Sequence, residues 1–382
     1  MRGLYVHVPF CVRKCRYCDF YSMPKSAAGG MLQIAAPDER YLAALEMELS
    51  RLPEDFRPVT IFVGGGTPTE LDDAALDRLL ARLARFRSDR LVEWTVESNP
   101  GTLTPAKARA LKAAGVTRVS LGVQSFEPEN LRFLGRIHSA DEAVAGYELL
   151  RRTGFENVNL DLIFGIPGSS REALRRDLER AALTLRPEHI SCYCLIFEPG
   201  TPLERMRAHG LVSEVDEEEE RAQYEIVRET LGAAGYGQYE ISNFARPGRE
   251  CRHNLLYWGP GEYHGVGPSA ASHVERRRFT NVRDLGAWCE RLEGGESPVD
   301  ADDDVRLKDD AWAREALVMA LRRIDGVSRA EFRAATGHDP LDLAGREIDR
   351  FAGLGFIEVD GDRVRLTPEG LFVSDSVFAE VV

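Results

Sequence analysis

Tyr5-Val6-His7-Val8-Pro9-Phe10-Cys11-Val12-Arg13-Lys14-Cys15-Arg16-Tyr17-Cys18-Asp19-Phe20 is an apolar, strand-like run that breaks into a loop carrying three thiols, spaced Cys11-x3-Cys15-x2-Cys18. Three thiolates can hold three irons of a [4Fe-4S] cube and leave the fourth iron without a protein ligand, whereas an electron-carrier cluster is closed by four cysteines. A bare triplet therefore reads as a cluster whose open iron binds something else. The competing reading is a zinc knuckle or simply packed cysteines. Zinc wants four ligands; Asp19 and Phe20 offer no obvious one, although His7 is close. Clustered thiols in a reducing compartment favour metal or redox chemistry over disulfides. Cys192, Cys194, Cys251 and Cys289 are scattered and read as packed thiols.

Outward from this loop, β-rich runs alternate with amphipathic helical stretches. The candidate strands are 4–8, 59–63, 92–97, 118–123, 158–164 and 189–196. This alternation predicts a parallel α/β sheet, a partial (β/α)6 TIM-like barrel. Helix punctuation agrees: Thr104 caps a helix beginning at Pro105 and ended by Gly115, and Ser169 or Ser170 caps one that stops at Pro187. In such barrels the ligand site lies at the carboxyl ends of the strands. The cysteine loop, GGGTPT, ESNP, GVQS and NLDLIFGIP all follow or end strands, so one rim should collect them.

Gly64-Gly65-Gly66-Thr67-Pro68-Thr69 lacks the Lys of a phosphate loop and the G-x-G-x-x-G of a dinucleotide fold. It reads either as a tight turn or as backbone opened to a cofactor's amino group or carboxylate. Glu97, Gln124, Arg136 and Asp161 fall at or just beyond strand ends. Carboxylates and an amide suit ribose hydroxyls or an ammonium, and Arg suits a carboxylate, so together they fit a zwitterionic nucleoside such as S-adenosylmethionine.

Three regions are expected: a barrel over 1–205, a connecting region over 206–300, and a C-terminal α+β unit over 301–382. The middle region opens on an acidic helix and continues into a Gly-, Pro- and aromatic-rich segment containing His253-Asn254-Leu255-Leu256-Tyr257-Trp258. The last combines helices near 311–322, 328–336 and 342–354 with a hairpin over 356–367, a winged-helix-like module. Acids outnumber its bases, so docking or a lid role is expected of it rather than DNA binding. A net charge of -13 likewise argues against nucleic-acid partners. No apolar run is long enough for a bilayer, and the N-terminus leads straight to the cysteines rather than through a signal peptide, so a cytoplasmic location is expected. Transient membrane association is compatible with this, and a homodimer is left open.

YVHVPFCVRKCRYCDF, GGGTPT, ESNP, GVQSF and NLDLIFGIPG together resemble the radical S-adenosylmethionine enzymes of the oxygen-independent coproporphyrinogen dehydrogenase group, over nearly the whole chain. The resemblance implies a radical S-adenosylmethionine barrel in which Cys11, Cys15 and Cys18 ligate the cluster. Tyr5, Tyr17, Gly65, Gly66, Thr67, Glu97, Gln124, Arg136 and Asp161 would line the cofactor pocket, and an electron donor would reduce the cluster. Those dehydrogenases carry a further cysteine where this chain has Phe20, and a long segment before the triplet where this chain has ten residues. In both respects, and in its H-N-x-x-Y-W motif, the chain is similar to the haem-chaperone branch, which binds haem and passes it to acceptor haemoproteins. Coproporphyrinogen III dehydrogenation by radical decarboxylation is the alternative function. His253 is then the expected haem ligand, with His264, His273 and Cys251 as substitutes; Tyr257 and Trp258 would stack on haem or pack a domain interface.

Overall fold

The computed structural model describes residues 2–32 and 37–382. The six expected strands form as β1 (Arg2–Val8), β2 (Thr60–Gly65), β3 (Glu93–Ser98), β4 (Arg118–Gln124), β5 (Val158–Phe164) and β6 (His189–Cys194). They pair in parallel in chain order. Each is a nearly continuous buried run, as strands covered on both faces must be.

The helices obey their punctuation. Thr104 accepts the Lys107 amide at 3.2 Å to start Pro105–Ala114, and Gly115 ends it in the left-handed region at φ 96°. Ser170, not Ser169, caps Arg171–Glu179 by accepting from Ala173 N. That helix runs into a π turn over Arg180–Leu185 before Pro187.

The sheet extends beyond the six strands at both edges. On one side β7 (Gly237–Gln238) and β8 (Asn243–Ala245) add antiparallel to β6. On the other, β9 (Glu262–Val266) pairs parallel to β1 and is followed by antiparallel β10 (Ala271–Val274), β11 (Arg277–Thr280) and β12 (Val305–Arg306), giving a twelve-stranded sheet. The sequence reading assigns no strands to this Gly- and Pro-rich segment. Glu262-Tyr263-His264-Gly265-Val266 has no apolar run, and its strand state rests on close backbone approach: a Cβ on Gly265 would sit 2.1 Å from Ala271 O.

The C-terminal unit is winged-helix-like. Helices Asp309–Leu321, Arg329–Thr336 and Pro340–Gly353 pack on β13 (Val327–Ser328), β14 (Ile357–Asp360) and β15 (Arg363–Leu366), in the order β13-β15-β14, with a further helix at Ser374–Val381. Its buried Leu317, Ile348, Val364 and Val377 belong to one core with the barrel. Buried Glu48 ties the barrel to the edge extension, accepting from Gly267 N at 2.8 Å, Asn281 Nδ2 at 2.5 Å and Trp288 Nε1 at 3.1 Å. No described helix is long and apolar enough to cross a membrane.

Candidate active site at the carboxyl rim of the barrel

A cavity of about 400 Å3 opens at the carboxyl ends of the strands. Cys11, Cys15, Cys18, Tyr17, Gly65, Gly66, Thr67, Glu97, Gln124, Arg136 and Asp161 all line it. One hydrogen-bonded chain crosses it. Asn99 Nδ2 donates to Thr67 Oγ1 at 2.6 Å, and that hydroxyl lies 3.5 Å from Cys11 Sγ. Arg136 donates to Asn99 Oδ1, to Gly122 O at 2.6 Å and to Cys15 Sγ at 3.3 Å. Asn99 thus orients both Thr67 and Arg136, a role the residue-by-residue reading of ESNP did not assign.

Gly65 and Gly66 line the cavity, and the glycines also form the tight turn that is one of the two readings of this motif. A Cβ on Gly66 would lie 2.6 Å from Phe10 O, one on Gly65 2.5 Å from the His7 ring, and one on Gly64 2.6 Å from Glu97 Oε2. The space is taken by the protein's own groups. Gly66 N and Thr67 N donate to Val8 O and Phe10 O at 2.8 and 2.7 Å, so this loop is stitched to the strand that launches the cysteines. Gln124 has φ 69°, an uncommon value for a non-glycine residue, at a register shift between β4 and β5 that sets its side chain on the cavity.

Burial raises the Glu97 carboxyl to about 8; Asp161 repulsion adds to this, while the Gly65 amide at 3.2 Å and Arg118 oppose it. Asp161 is also raised by burial, against bonds from Ser120 at 3.2 Å and Asn159 at 2.6 Å. Burial pushes the Cys11 thiol up and the Cys18 thiol to about 12. Such thiols stay protonated until a metal displaces the proton.

Among the described residues no three His, Cys, Asp or Glu side chains converge on one ion. The three thiols line the cavity separately beside a buried, charged Arg136, a donor set suited to three corners of a cluster rather than one tetrahedral ion. Arg136 Nε is buried without a partner beside them. The residues present fit a three-cysteine cluster next to a zwitterionic ligand. The rim is also apolar, with Val12, Phe20, Ile137, Tyr193 and Ile196 exposed around the cavity. Scattered in sequence, Val12, Ile137, Tyr193 and Ile196 carried no signal there, and Phe20 did so only as the residue in place of a further cysteine.

A second cavity of about 580 Å3 occupies the barrel lumen and shares Gly65, Glu97, Asp161, Phe20 and Tyr193 with the first. Tyr5 lines this lower cavity and not the upper one, its hydroxyl 3.0 Å from His7 Nδ1. Asn254, Tyr257 and Trp258 line it too. His253 does not: it is fully buried, with Nδ1 2.7 Å from Thr60 Oγ1 and Nε2 2.9 Å from Tyr257 Oη. Burial drives its pKa down to about 3, so both nitrogens serve the fold as a neutral ring. Ligation of haem iron by His253 would require breaking one of these bonds. His264, His273 and Cys251 line neither cavity.

The radical SAM superfamily model matches residues 5–181, and the HemN C-terminal domain model matches 307–373. Heme chaperone HemW of Bacillus subtilis (strain 168) is 35% identical over 383 residues, covering 99% of this chain and 98% of its own. This chain belongs to the HemW family. HemW of Mycobacterium tuberculosis is 37% identical, covering 98% and 93%, and that of Escherichia coli (strain K12) 35%, covering 98% and 96%. The fold is also that of the E. coli coproporphyrinogen III oxidase HemN, described as a radical SAM enzyme: TM-score 0.83 at 22% identity, over 100% of this chain and 89% of that one. The parallel α/β architecture expected from the strand pattern, and the radical SAM barrel implied by the resemblance, are therefore those of the family.

Proposed function

We propose that this protein is a haem chaperone, binding haem and passing it to acceptor haemoproteins, with a [4Fe-4S] cluster and S-adenosylmethionine in the upper cavity. The observation that carries the reading is full-length similarity to HemW chaperones in a chain with an open cysteine triplet and Phe20 beside it. Cys11, Cys15 and Cys18 would hold the cluster, and Arg136 would meet a carboxylate. Glu97 and Asp161 would face the ammonium or ribose, and Gln124 and Thr67 would contribute neutral polar groups. When bound, the cluster and S-adenosylmethionine supply one-electron chemistry, for which a reducing partner is needed. The exposed apolar rim suits a large planar ligand or the face of an acceptor.

The test uses one anaerobically reconstituted sample. Haem is titrated first; then coproporphyrinogen III is offered with S-adenosylmethionine and reductant. A saturable Soret change without protoporphyrinogen formation is expected. Efficient turnover would make the protein a dehydrogenase instead, and failure to bind haem would point to a radical enzyme with another substrate.

A further inference from the structure

The lumen wall contains a buried cation that no described residue completes. Arg118 opens β4, is 2% exposed, and lines the lower cavity. Its Nε has no hydrogen-bond partner, and Cys251, Glu93, Tyr239 and Asp161 act on it only through space. The two acids are spent elsewhere. Glu93 accepts from Cys251 Sγ at 3.4 Å, Arg252 N at 3.0 Å and His253 N at 3.1 Å, while Asp161 accepts from Ser120 and Asn159. The guanidinium stays charged, and a buried charge without bonded partners is unfavourable unless something supplies acceptors.

The surroundings indicate what kind of ligand does so. Tyr5, Phe62, Tyr257, Trp258 and Tyr263 line the same cavity. Aromatic walls around a guanidinium without a bonded acceptor call for an extended conjugated plane bearing acceptor oxygens. A cavity near 580 Å3 is in the size range of small-molecule and cofactor sites. We propose that Arg118 anchors a propionate carboxylate of haem in the barrel lumen, with the macrocycle among these rings. This rests on the haem-chaperone reading and adds to it a seat and a polar anchor distinct from the cysteine rim.

Haem and haem dimethyl ester, whose propionates are blocked, are titrated separately into the reconstituted wild-type protein and into Arg118→Met and Arg118→Lys variants. S-adenosylmethionine affinity and thermal unfolding are followed in each. Haem should bind wild type about ten- to a hundredfold more tightly than the ester, the scale of a charge-assisted hydrogen bond. That preference should vanish in Arg118→Met and return in part in Arg118→Lys, with S-adenosylmethionine affinity unmoved. Equal binding of acid and ester by wild type overturns the anchor even if Arg118→Met fails to fold. A preference that persists in a folded variant also overturns it, as does a selective loss of S-adenosylmethionine affinity, which would assign Arg118 to that ligand's carboxylate. If wild type binds neither haem nor its ester, the chaperone reading itself falls.

Discussion

Replacing Glu97 with Gln should uncouple both stability and ligand binding from pH. In the folded protein this carboxyl is raised from 4.5 to about 8, chiefly by burial, then by Asp161, against the Gly65 amide and Arg118. The phenols of Tyr5 and Tyr193, which line the lower cavity with Glu97, are raised and stay neutral across this range. At 1.36 kcal/mol for each pH unit between the two values, with cavity water screening part of it, the coupling is about 2 to 5 kcal/mol. The sign follows from proton uptake: between 4.5 and 8 the native state holds a proton that the unfolded chain has lost. Wild-type stability therefore falls as pH rises through this window and flattens above it. Gln keeps the shape without the charge, so its stability advantage over wild type should grow across the window. Urea denaturation of S-adenosylmethionine-free protein at several pH values measures this. A cationic ligand beside Glu97 would pull the carboxyl down again, so S-adenosylmethionine binding near pH 7 should release up to about one proton. Calorimetry in buffers of different ionisation enthalpy reads that release. A stability difference that stays flat with pH, or equal proton release in Glu97→Gln, would refute the reasoning.

Replacing any one of Cys11, Cys15 and Cys18 with Ala should abolish the broad iron-sulfur absorbance after reconstitution; an intact cluster in all three variants would dismiss the assignment. Gly66→Ala drives a Cβ into Phe10 O and Val8 O, both backbone, and should cost about 1–3 kcal/mol and lower iron loading, read by denaturation and iron analysis. Glu48→Ala strands three buried donors and should cost about 3–5 kcal/mol in chemical denaturation; a loss under about 1 kcal/mol would show that the Glu48 network is not holding the edge strands. His253→Gln should leave the haem spectrum unchanged while lowering thermal stability, whereas a displaced Soret band would return the ligand role to His253.

Much of the barrel was legible because its strands are long, apolar and separated by helices with explicit caps. Thr104, Pro105 and Gly115 punctuate one helix in sequence as they do in space. The edge strands were not. Tyr263 and Gly265 pair because β1 and Ala271 lie alongside them, which is a tertiary contact. The upper cavity was legible for a related reason: parallel strands deliver their carboxyl ends to one rim, so Glu97, Gln124 and Asp161 arrive together once the strands are recognised. Tyr5 and Asp161 each sit three residues before the end of their strands, yet Asp161 reaches both cavities while Tyr5, its hydroxyl beside His7, lines only the lower one.

By itself the sequence determined the cysteine triplet, the order of parallel strands and the end of the sheet at which the candidate site residues gather. All three follow from local spacing and from the geometry any parallel barrel must adopt. Tertiary structure alone decided how the remaining polar groups are spent. It showed that the glycine loop makes room for protein atoms, that Asn99 positions Arg136, and that His253 is consumed by Thr60 and Tyr257. It also left Arg118, in the lumen wall, with no hydrogen-bonded acceptor at Nε among the described residues. A donor's availability depends on which acceptors fold against it from distant parts of the chain, and no local pattern encodes that sum.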